Sequence, residues 1–114
     1  MADIEIKARA FWSDSEGDSI AVGFAATEDP EDGYVLFEGR KGAAPKAIYV
    51  EVSDDIFGAD DAIESVAHAE AGFTLTLTAK AAPKFGMVRE VVVTIDPADE
   101  DGMAALAVLK TLIA

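Results

Sequence analysis

The sequence predicts an α+β fold, a strongly curved antiparallel sheet of about seven strands with one C-terminal helix packed on its concave face. Short runs of alternating polar and apolar residues recur along most of the chain, with turn residues between them. The period then changes once, after Asp96, to that of an amphipathic helix. Most links between the runs are too short to hold a crossover helix, so neighbouring strands should pair antiparallel.

The first run alternates cleanly: Ile4, Ile6, Ala8, Ala10 and Trp12 point one way, and Asp3, Glu5, Lys7, Arg9 and Phe11 the other. Further strands are expected at Ile20–Ala26, Tyr34–Arg40, Ala47–Ser53, Ile63–His68, Phe73–Lys80 and Val88–Ile95. Asp29-Pro30-Glu31-Asp32-Gly33 and Glu70-Ala71-Gly72 carry the turn chemistry between them. In Phe73–Lys80, Phe73, Leu75, Leu77 and Ala79 share one face and Thr74, Thr76, Thr78 and Lys80 the other, so one face of the sheet should be wet. Asp96 is the expected N-cap of the helix, and Pro97 suits its first turn. Asp99, Glu100 and Asp101 complement the positive end of its dipole. Leu106, Leu109, Leu112 and Ile113 form its apolar stripe.

A length of 114 residues suits a single domain, 1–114, with a core that needs neither metal nor disulfide to hold it together. The 22 Asp and Glu outnumber 9 Lys and Arg, for a net charge of −13. That field repels nucleic acid and attracts basic partners. The acids cluster in short segments: Asp14 to Asp18, Glu28 to Asp32, Asp54 to Asp61 and Asp96 to Asp101. The absence of cysteine removes thiol nucleophiles and zinc–thiolate sites and fits a reducing cytoplasm, the expected location. No apolar run approaches the ~18 residues that span a bilayer, and no membrane partner is expected.

Chemistry-bearing patterns point away from catalysis. The single His68 lies in a strand pattern with Glu64 and Val66 on its face and reads as an ordinary strand residue. Asp14-Ser15-Glu16-Gly17-Asp18 resembles the opening of a cation-binding loop, but an EF-hand requires a Glu at its twelfth position, where Ala25 stands, so the segment reads as a hairpin turn. Gly39-Arg40-Lys41-Gly42 lacks the spacing of a phosphate loop and also reads as a turn. No catalytic, cofactor or metal residue is assigned. What the pattern does offer is a binding surface. With Val35 and Phe37 inside, Tyr34, Leu36, Glu38 and Arg40 share the outer face; with Ile48, Val50 and Val52 inside, Tyr49, Glu51 and Ser53 lie outside. Aromatic rings flanked by carboxylates are good recognition material.

Those segments also carry a family resemblance. Ala21-Val22-Gly23-Phe24-Ala25, Asp29-Pro30-Glu31, Tyr34-Val35-Leu36-Phe37-Glu38-Gly39-Arg40, Ile48-Tyr49-Val50-Glu51-Val52, Gly58 and Ile63-Glu64-Ser65-Val66 together resemble the tenth immunity-protein family of bacterial polymorphic toxin systems. The likeness extends to Phe73–Leu77 and the terminal helix. It implies a small, mostly β, non-enzymatic protein that binds and neutralises a cognate toxin, with a basic nuclease-type toxin suiting the acidic charge. Helices of the family are often more polar than Ala104-Ala105-Leu106-Ala107-Val108-Leu109, which adds a homodimer contact through this helix as an expectation. In a simple meander Glu28–Asp32 and Asp54–Asp61 fall at one end of the sheet. The expected partner-binding residues are therefore Tyr34, Glu38, Tyr49, Glu51, Asp54, Asp55, Asp60 and Asp61. Two alternatives stay open: a small-ligand-binding or cofactor-free enzymatic domain using the concave interior, and a self-associating structural domain.

Overall fold

A computed structural model describes residues 3–42, 44 and 47–113. Among them the chain forms β1 (Ile4–Ala8), β2 (Ala10–Glu16), β3 (Ser19–Ala25), β4 (Tyr34–Arg40) and β5 (Tyr49–Val52). It continues with β6 (Gly58–Asp60), β7 (Ile63–Ala69), β8 (Gly72–Leu77), β9 (Glu90–Ile95) and the helix α1 (Glu100–Leu112). The α+β class is as expected, but the strands make two open sheets and not one curved sheet of seven. One has the order β1-β9-β8-β7 and the other β2-β3-β4-β5-β6. All pairings are antiparallel except β1 with β9, which is parallel and sets Ile4 beside Val91.

The two-sheet arrangement follows from a break at Arg9. The first run ends in one sheet at Ala8 and resumes in the other at Ala10, with the Arg9 N–H donating to the Ala25 carbonyl at 2.8 Å. The bend reverses the alternation. Ile6 and Ala8 are buried as expected, but beyond Arg9 it is Phe11 that turns inward, edge-on to Phe24 at 6.1 Å. Trp12, expected beside Ile6, lies outside and is 42% exposed.

Facing sides of the two sheets interdigitate. Phe73 of β8 packs edge-on to Phe24 of β3 and Phe37 of β4, with ring centres 5.0 and 5.6 Å apart. Val22, Val35, Val50, Leu75, Leu77, Val91 and Val93 complete a dry interior. No polar or charged residue is buried among the described residues. This is the packing of a sandwich, in which alternate residues of each strand supply the core.

The helix α1 packs against β2, β3 and β4. Ala105, Leu106, Leu109 and Leu112 are buried, while Ala104, Ala107, Lys110 and Thr111 face out. Its N-cap is Asp99, whose Oδ1 accepts the Gly102 N–H at 3.0 Å, and not Asp96. Asp96 instead closes the preceding turn by accepting the Ala98 N–H at 2.9 Å, so both aspartates satisfy backbone donors and the helix starts one turn later. At the other end the His68 Nε2–H donates to the Ile113 carbonyl at 2.8 Å and ties β7 to the helix terminus.

Candidate binding face

The outer face of the five-stranded sheet gathers Trp12, Tyr34 and Tyr49. Register sets it out in rows. Trp12, Gly23, Leu36, Glu51 and Gly58 lie side by side across the five strands. The next row is Asp14, Ala21, Glu38, Tyr49 and Asp60, and Tyr34 stands beside Ala25 on the other flank. Trp12 and Tyr49 are each seated on a glycine. A Cβ at Gly23 would fall 2.0 Å from the Trp12 ring, and one at Gly58 would fall 2.1 Å from the Tyr49 hydroxyl. Glycine weakens a strand, and here the covering ring restores the lost contact.

Glu51 stands at the centre. Tyr49 donates its hydroxyl to Oε1 at 2.7 Å, and Tyr34 donates its hydroxyl to Oε2. Both carboxylate oxygens are thereby fixed, one from the neighbouring strand β4 and one from within β5, each with acceptor capacity to spare. All three side chains are half-buried. Trp12 and Tyr34 tilt at 55° with ring centres 6.4 Å apart. Between them and Glu51 runs a groove of about 420 Å³, with Leu36 in its lining and Thr27 and Glu28 at its rim. A second hollow of about 360 Å³ lies among Asp14, Glu16, Glu38, Arg40 and Tyr49.

The structure brings Tyr34, Glu38, Tyr49 and Glu51 onto this one face. The aspartates divide. Asp54 stands at the end of the sheet shared with the loop from Glu28 to Asp32, where the Ser53 N–H donates to the Tyr34 carbonyl at 2.9 Å. Asp60 lies beside Tyr49, toward the opposite end, and Asp61 follows with a left-handed φ of 55°. The side chain of Asp55 lies outside the described residues. The acidic segment thus runs along the edge strand β6 from one end of the sheet toward the other.

Several of the acids shape the backbone. Asp54 accepts the Ile56 N–H at 3.2 Å and starts a 3-10 turn, Asp55–Phe57. Asp29 accepts the Glu31 N–H at 3.0 Å, and Asp32 accepts the Thr27 hydroxyl at 2.6 Å. Asp3 accepts the N–H groups of Arg89 and Glu90 at 2.8 and 3.1 Å, and these bonds hold its carboxyl below the usual aspartate range. Part of the negative charge therefore belongs to turns. The carboxylates on the outer face of the five-stranded sheet are Asp14, Glu16, Glu38, Glu51 and Asp60.

The face also contains Trp12, which the alternation of the first run places with Ile6 and Ala8 and which here forms an apolar strip with Leu36. The isolated Gly23 inside the run Ile20–Ala26 was the available signal, since a lone glycine in a strand marks close approach by another group. No three His, Cys, Asp or Glu residues converge as a metal site among the described residues. No helix among them is long and apolar enough to cross a membrane. In comparisons with known proteins, no family model, curated protein or solved structure matches this chain.

Proposed function

We propose that this protein is a non-enzymatic immunity protein, which binds a cognate bacterial toxin through the outer face of β2–β6 and neutralises it by occupying its surface. The observation that carries this reading is the Tyr34–Glu51–Tyr49 cluster, aromatic anchors fixed around one carboxylate on an open face with acids along its edge. Rigid aromatic residues at the centre of a polar rim are where binding energy concentrates in protein interfaces. The resemblance of Ala21–Ala25, Tyr34–Arg40 and Ile48–Val52 to the tenth immunity-protein family supports the same role, because those segments build β3, β4 and β5 of this face. A negative field speeds capture of a basic partner, which suits a nuclease-type toxin that grips phosphates.

The dry interior between the sheets favours this reading over a carrier or an enzyme that uses the inside of the fold. Phe24, Phe37, Phe73 and Leu75 fill the space that a ligand would need. The leucines of α1 are likewise spent on the core, so a self-associating role would have to use its small and polar outward residues.

The direct test uses the toxin domain encoded beside the gene for this chain. Titration calorimetry should show a one-to-one complex that abolishes toxin activity, and Glu38→Lys with Glu51→Lys should break the complex while the circular dichroism spectrum is kept. A toxin domain that does not bind, or that binds the charge-reversed protein equally well, overturns the proposal.

A further inference from the structure

We infer that the groove between Trp12 and Glu51 is a socket for an arginine side chain of a protein partner. The inference deepens the binding role proposed for the outer face and rests on it. It names the chemical group that the face receives.

A carboxylate that is to hold a guanidinium must present both oxygens in one plane and keep them still. Glu51 meets both requirements. The Tyr34 and Tyr49 hydroxyls approach from different strands, one on each oxygen, so the carboxylate cannot turn without losing a hydrogen bond. Each oxygen retains acceptor capacity, which suits the two parallel N–H donors of the guanidinium fork. Holding the acceptor in place beforehand reduces the ordering cost that a flexible surface glutamate would incur on binding. The single ion pair among the described residues, Arg89 with Glu64, is elsewhere in the fold, so Glu51 has no basic partner within them.

The rest of the groove matches the stem of the same side chain. Leu36 occupies the register position between Gly23 and Glu51, and the Trp12 ring lies over Gly23. An arginine approaching from the Trp12 side would lay its methylenes on Trp12 and Leu36 and set its guanidinium on Glu51. Tyr34 then stands within reach of the cation, where an aromatic face adds attraction. Glu28 at the rim adds a second negative charge to the groove. A lysine would find the charge but would engage the two fixed oxygens as a point and not as a fork.

Trp12 is the only tryptophan, so its fluorescence reads the socket directly. The intact protein should be titrated with Nα-acetyl-arginine amide, with Nα-acetyl-lysine amide at matched ionic strength, and with the citrulline analogue, which keeps the shape without the charge. Arginine amide should change the Trp12 emission saturably, lysine amide should bind several-fold more weakly, and citrulline should give no saturable change. Glu51→Gln should weaken the arginine response about tenfold, the scale expected for loss of a charge-assisted pair. In parallel, amide NMR shifts caused by arginine amide should map to Trp12, Gly23, Leu36 and Glu51, and unchanged spectra elsewhere in Glu51→Gln would show that the variant is folded. Absence of a saturable arginine response, an equal response to lysine or citrulline, or an unchanged response in Glu51→Gln overturns the inference. The assay needs no toxin. Arginine binding without toxin binding would leave the socket standing and remove the immunity role, and toxin binding without an arginine response would do the reverse.

Discussion

The Trp12 ring lies across Gly23 of the neighbouring strand, so close that a Cβ on Gly23 would fall 2.0 Å from the ring. Gly23→Ala must therefore displace the tryptophan. Because Trp12 is already 42% exposed, the ring has solvent to move into, and the expected cost is smaller than for overpacking a closed core, about 1 kcal/mol. Trp12 emission should shift to the red. Unchanged emission would show that the ring does not depend on the glycine.

A second prediction separates the tyrosine hydroxyls from their rings. Tyr34→Phe and Tyr49→Phe each remove one donor to Glu51 and keep the aromatic surface. Each should cost about 1 kcal/mol or less in stability, since the bonds are partly solvent-exposed. If the fixed carboxylate serves recognition, the double variant should lose more partner affinity than stability, read by calorimetry against thermal melting. Equal losses would assign the cluster to folding alone.

The third prediction concerns α1. Leu106 is 2% exposed and packed in the core, so Leu106→Ala should destabilise by about 2–5 kcal/mol, and Leu106→Asp should unfold the domain. Ala107 faces outward, and Ala107→Glu should fall within about 0.5 kcal/mol of the parent. Chemical denaturation of the three variants checks this directly. A tolerated Leu106→Asp would contradict the placement of the helix.

Asp3 gives a pH signature. Its carboxyl accepts two backbone N–H groups and is held below the usual aspartate range, so its folded-state value lies under its unfolded one. The contribution is therefore complete above the unfolded value and is lost as pH falls through the folded one. Asp3→Asn should lower the melting temperature at neutral pH, and the difference from the parent should close below the carboxylate range. A difference that stays constant into strong acid would exclude this role.

For the electrostatic part of the proposed recognition, neutralising Asp54, Asp55, Asp60 and Asp61 to Asn should slow association with the proposed toxin partner and flatten its salt dependence. Stopped-flow mixing at two ionic strengths reads both effects. Because Asp60 lies beside Tyr49 and Asp54 caps a turn at the far end, the Asp60–Asp61 pair should account for more of the loss. An unchanged on-rate at low salt would remove charge from the mechanism.

The faces of β4 and β5 were legible in the sequence because Val35, Phe37, Val50 and Val52 alternate strictly with Tyr34, Leu36, Tyr49 and Glu51, and burial of one set dictates exposure of the other. The division into two sheets was not. Ala8-Arg9-Ala10 continues the alternation without a glycine or proline to mark the bend, so the reversal that exposes Trp12 depends on tertiary packing. β6 was hidden for another reason. Gly58–Asp60 is three residues long and lies inside an acidic segment, and it is a strand only because β5 offers it an edge. At the helix start, Asp96 and Asp99 both have the chemistry of a cap, and residue type does not decide which one fills the role.

The contrast between the two sheets also bears on the order in which the molecule assembles. Strands β2 to β6 pair strictly in sequence, each with the next, so every pairing closes a short stretch of chain. The four-stranded sheet instead sets Ile4 beside Val91, the kind of distant pairing that slows a folding reaction. During synthesis the strands bearing Trp12, Tyr34, Tyr49 and Glu51 emerge before β9 and α1 do. Their outer face can take its register early, while its inner face waits for Phe73, Val93 and Leu106 to cover it. A stall between β6 and β9 would leave this apolar inner surface open to water, and that interval is where the chain is most exposed to aggregation.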